Sequence, residues 1–169
     1  PKLNNLCNYK LAEAIAEGLL HATYKFDKFK SEKKETPELI VNYNPIPGKE
    51  HRAEKGIDEA KKLIESIFLT RDLVNQPANV IYPETLADIT KERLEAKGVK
   101  VTVYGKKEIE EIGMEAFLTV ARASAKEPKL IVMEYYNNPE SDERIALVGK
   151  GLTYDSGGYA IKPATGMVD

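Results

Sequence analysis

The stretch Leu147-Val148-Gly149-Lys150-Gly151-Leu152-Thr153-Tyr154-Asp155-Ser156-Gly157-Gly158-Tyr159-Ala160-Ile161-Lys162-Pro163 decides how the chain is read. It begins as an apolar run and breaks into glycines that carry two lysines and an aspartate. Arg144 to Val148 has the length and residue types of a buried strand, and the glycines after it let the backbone turn sharply or approach a ligand closely. Charged groups placed there sit at a strand's C-terminal end, where open α/β sheets put their sites.

The segments upstream read as scaffold. Leu11, Ile15, Leu19 and Ala22 recur at helical spacing, which predicts an amphipathic helix to about Phe26. His21 lies within it with no second histidine at ligand spacing, so its reading is structural. Lys28 to Glu35 is lysine-rich and reads as a solvated connection. Glu38 to Tyr43 predicts a strand, ended by Asn44-Pro45-Ile46-Pro47-Gly48, the candidate domain boundary. A second helix follows from about Glu50 into Asp72, with His51 exposed and inert. Pro83 suits the first position of a third helix that runs to Lys97, and Gly98 is placed to close it in a left-handed conformation.

Val99, Val101 and Val103 alternate with Lys100 and Thr102 as in a strand, and Ile109 and Ile112 mark a short helix after it. Helix, strand and helix in this order predict a mostly parallel sheet with helices on its faces. Leu130 to Met133 reads as a strand buried on both faces. The turn Asn137-Asn138-Pro139-Glu140-Ser141 then makes the Arg144–Val148 strand its antiparallel neighbour, so the sheet is expected to be mixed.

Composition sets bounds without naming a partner. The chain has 169 residues, 42% of them hydrophobic, enough for a folded core. Its 25 Lys+Arg against 27 Asp+Glu call for neither nucleic acid nor an anionic membrane surface. Cys7 is alone, so no internal disulfide can form and a reducing compartment is the natural home. No apolar run is long enough to span a bilayer as a helix, and there is no signal-peptide pattern. The glycine loop is not a phosphate-binding P-loop, because Lys150 is followed by Gly151 rather than Ser or Thr.

Val-Gly-Lys-Gly, Asp-Ser-Gly-Gly and Ile-Lys-Pro, at these separations, resemble the leucine aminopeptidase family of two-metal cytosolic exopeptidases. The block Asn75-Gln76-Pro77-Ala78-Asn79 with Tyr82-Pro83-Glu84 resembles the same family, as do Met114, Arg122, Ser124, Glu134 and Tyr135. Ala123 departs from it, since the family usually has glycine there. The resemblance implies metal-ligand roles for Lys150 and Asp155 and a catalytic role for Lys162. It further implies two divalent ions per complete site, Mn2+ or Zn2+, with peptide substrates, a cytoplasmic location and a homohexameric assembly.

Such chemistry needs a chelating carboxylate, a polarised carbonyl and a water made acidic by the cation. Lysine ligates only as the neutral amine, so an adjacent cation must displace its proton. The family's remaining ligands and catalytic arginine fall past position 169, and Asp169 itself lies just short of the next carboxylate. The organisation expected is therefore the end of an amino-terminal α/β domain (1–48), a linking helix (49–76) and the first part of a catalytic domain (77–169). A segment ending there is expected to be inactive alone. The alternative reading is a non-catalytic binding or assembly module that keeps the fold.

Overall fold

A computed structural model describes residues 7–33, 35 and 37–167. The chain forms two compact units that divide between Asn75 and Gln76. The first holds α1 (Asn8–Ala22) and α2 (Glu50–Val74). The first helix begins and ends earlier than its pattern predicts. It stops because Thr23 turns its hydroxyl and its N–H back onto the Leu20 carbonyl, at 2.7 and 3.0 Å.

The two helices meet through small residues. Ala12, Ala53 and Ala60 are buried with Ile64. Gly56 passes so close to the Tyr9 carbonyl that a Cβ there would collide with it. Near the other end of α2, Tyr24 packs on Phe68 with ring centroids 5.0 Å apart and lies under the Arg71 guanidinium at 3.7 Å. Its hydroxyl donates to Asp72 Oδ1 at 2.9 Å and accepts from Asn75 Nδ2 at 3.0 Å. Arg71 Nη1 lies 3.3 Å from Nδ1 of His21.

The strand expected at Glu38–Tyr43 is not formed. Leu39 and Ile40 are 71% and 75% exposed. The residues have β-type side chains, but a strand needs a ladder partner, and the described residues of this unit offer none.

The second unit contains α3 (Pro83–Glu95), β1 (Lys100–Tyr104), α4 (Lys106–Ile112), α5 (Glu115–Ala121) and β2 (Leu130–Glu134). Pro83 opens α3 as predicted, and Thr85 Oγ1 accepts from the Tyr82 N–H while donating to the Val80 carbonyl, both at 3.0 Å. Gly98 has the left-handed φ of 79° that ends this helical stretch. The α/β class holds, with helices around a small sheet whose core is Ile81, Ala87, Val101 and Ile109.

The pairing within that sheet differs from the sequence reading. The described residues form one antiparallel pair, Lys100 opposite Glu134 through Tyr104 opposite Leu130, and not a mostly parallel sheet. The reason lies in the connection: α4 leads out, Gly113 reverses the chain at φ 83°, and α5 leads back to the end of the sheet where β1 finished. With a single neighbour, β2 is only half-buried rather than covered on both faces, and Met133 is 54% exposed. The expected third strand, Arg144–Val148, runs without a ladder, and Ile145, Leu147 and Val148 are 91%, 94% and 98% exposed.

Candidate functional site

The glycine-rich loop of the second unit is shaped by its own backbone. Asp155 Oδ1 accepts the Gly157 N–H at 2.9 Å, so the carboxylate is held over the turn that follows it. Gly157 and Gly158 take left-handed φ values of 88° and 66°, and a Cβ on Gly157 would strike the Ala160 carbonyl. Only glycine fits there. The Lys162 N–H then donates to the Ser156 carbonyl at 2.9 Å, which ties the two ends of the loop together. Pro163 fixes the exit, and the short 3-10 turn Ala164–Gly166 begins with the Gly166 N–H bonded to the Pro163 carbonyl at 2.8 Å.

This backbone brings the side chains singled out in the sequence into one place. Lys150 Nζ lies 3.3 Å from Asp155 Oδ2 as an exposed ion pair. The Gly157 N–H holds the Asp155 carboxyl below the usual carboxylate range, assisted by the hydrogen bond and charge of Lys150 and, to a smaller extent, by the charge of Lys162. Lys162 is half-buried on the far arm of the same loop. An aspartate two residues before a glycine is the sequence pattern of a side chain capping its own turn, whereas the backbone bond from Lys162 to Ser156 that closes the loop has no such signal.

The donor set fits one edge of a divalent-cation site. Two donors each about 2.0–2.2 Å from one ion, at a tetrahedral angle, stand about 3.4 Å apart, close to the separation of Lys150 Nζ and Asp155 Oδ2. Among the described residues no group of three or more His, Cys, Asp and Glu side chains could hold a metal ion. Asp169 lies outside the described residues. Both histidines, His21 and His51, belong to the first unit. Among the described residues no helix is long and apolar enough to cross a membrane.

Helices around a small sheet, leading into a glycine loop that presents lysine and carboxylate together, define an α/β protein. The chain belongs to the cytosol aminopeptidase family: the description "Cytosol aminopeptidase family, catalytic domain" matches residues 68–169. It is 82% identical over 169 residues to a "Probable cytosol aminopeptidase" of Treponema denticola, covering all of this chain and 36% of that protein. A protein of the same description from Clostridium tetani is 48% identical over 170 residues, with 35% of its length covered. The chain thus spans about a third of the length of these curated relatives.

Solved structures agree. A mutant tomato leucine aminopeptidase superposes with a TM-score of 0.77 at 30% identity, covering 89% of this chain and 30% of that one. The bottromycin maturation enzyme BotP in complex with Mn gives 0.74 at 33% identity, covering 91% of this chain and 31% of that one.

Proposed function

We propose that this chain supplies the first part of the active site of a metal-dependent aminopeptidase that removes N-terminal, leucine-type residues from peptides. The observation that carries the reading is the Lys150–Asp155 pair, 3.3 Å apart on the segment that matches the family's catalytic domain. Lys150 and Asp155 are the metal ligands, and the complete site holds two divalent ions, Mn2+ or Zn2+. The complex of BotP with Mn supports this choice. The domain organisation proposed with it is 1–48, a linking helix over 49–76 and 77–169, in a cytoplasmic homohexamer.

Bound divalent ions supply Lewis-acid polarisation of the peptide carbonyl and an acidic water. The residues of this chain do the rest of what falls to it. Asp155 presents a carboxylate already ionised by the Gly157 N–H, so it needs no proton loss before ligating. Lys150, now paired with Asp155, would hold a divalent ion only as the neutral amine and would release its proton to solvent. Lys162, whose backbone is tied to Ser156 and followed by Pro163, would supply an ammonium to the oxyanion that develops as water adds to the peptide carbonyl and that is lost again when the C–N bond breaks.

The alternative reading is a non-catalytic binding or assembly module that keeps the fold. The experiment is leucine-anilide turnover by a full-length protein carrying these residues. Hydrolysis that stops with a chelator and returns with manganese or zinc is expected. Absence of metal-dependent hydrolysis in a folded full-length protein would leave the module reading in its place.

A further inference from the structure

A second cleft, apart from the glycine loop, lies between α4, α5 and the segment Arg122 to Pro128, with a volume of about 370 Å³. That is within the range of small-ligand sites. Glu115, Leu118 and Arg122 line it at spacings of three and four residues, so they share one face of α5 and its C-terminal cap. Most other charges around the cleft are engaged. Lys106 faces Glu110 at 3.8 Å, Lys126 covers the Tyr82 ring at 3.8 Å, and Glu127 pairs with Lys129 at 2.7 Å. Among the described residues no ion pair neutralises Glu115 or Arg122. Glu115 and Arg122, separated by two helical turns or about 10 Å of rise along the helix, thus flank half-buried Leu118.

We propose that this cleft binds a short zwitterionic peptide, its ammonium on Glu115, its carboxylate on Arg122 and an apolar side chain on Leu118. An extended di- or tripeptide spans about 7–10 Å between its charged ends, which matches the rise between these two positions better than a free amino acid does. Guanidinium favours carboxylate through paired N–H donors. That the ligand is a peptide and not another zwitterion of this length rests on the aminopeptidase reading, in which such peptides are substrates and shortened products.

The test titrates the isotope-labelled chain with leucyl-glycyl-glycine in the absence of added metal, so that no turnover intervenes. Backbone amide signals of residues 115–127 are expected to shift and saturate by about 10 mM. Acetylating the peptide's N-terminus or amidating its C-terminus is each expected to weaken binding about ten-fold. Glu115→Gln should abolish the sensitivity to acetylation alone, and Arg122→Gln the sensitivity to amidation alone. No saturable shift in this stretch, or equal binding of the blocked peptides, would overturn the proposal. Shifts confined to residues 149–162 would overturn it as well, while leaving the aminopeptidase reading intact.

Discussion

At Lys162 and Asp155 the loop backbone acts on different parts of the residue, and their exposure differs, with Lys162 half-buried and Asp155 exposed. The Asp155 side chain accepts a backbone N–H, whereas Lys162 is bonded through its own backbone N–H and its ammonium takes no part in that bond. In a full-length protein Lys162→Ala should keep its bound metal and lose about a hundred- to a thousand-fold in kcat, with a smaller change in KM. Metal analysis beside steady-state kinetics checks this, and loss of metal would mean that the two lysines have been given each other's roles. The depressed Asp155 carboxyl also fixes a pH dependence. Its bond to Gly157 and its pairing with Lys150 are present above the ordinary carboxylate value of 3.8 and are lost as pH falls through the lower folded value. A carboxyl-carbon NMR titration should therefore find the Asp155 midpoint below that ordinary value; a midpoint at or above it would remove the turn from the account.

Among the elements, those bounded by local chemistry were legible in the sequence, and those that depend on a distant partner were not. Pro83 starting α3, Gly98 ending the turn after it and the valine alternation of β1 are decided within a few residues. Glu38–Tyr43 and Arg144–Val148 carry equally good strand patterns, yet a pattern does not provide the neighbour that a ladder requires. The direction of β2 was hidden for a related reason, since α4 and α5 reverse through Gly113 and the periodicity of a helix does not say which way it leads. Of the candidate site, the residue types were legible, while the loop closure through Ser156 and Gly157 is a matter of backbone geometry.

The packing of α1 on α2 allows a paired test at this scale. Gly56→Ala pushes a methyl into the Tyr9 carbonyl and should destabilise the first unit by about 1–3 kcal/mol. Gly18→Ala, with nothing within 4 Å of the new Cβ, should stabilise α1 by about 0.5–1 kcal/mol. Thermal melting followed by circular dichroism separates them, and two shifts of the same sign would contradict the close approach.

For the molecule as a whole, the site and the unpaired apolar segment make one argument. Lys150 and Asp155 form an exposed ion pair, and Ile145, Leu147 and Val148 stand almost fully exposed beside it in sequence. The 169-residue chain should hydrolyse leucine-anilide poorly or not at all with added zinc or manganese, and should self-associate through its exposed apolar segments. Turnover comparable to that of a full-length protein would show that the site needs nothing more than this chain. The claim beneath all of this is that Asp155 is a metal ligand. The direct measurement is the metal content and leucine-anilide turnover of a folded full-length protein carrying Asp155→Ala. The account predicts that both are lost together; normal metal content with normal turnover would take Asp155 out of the site.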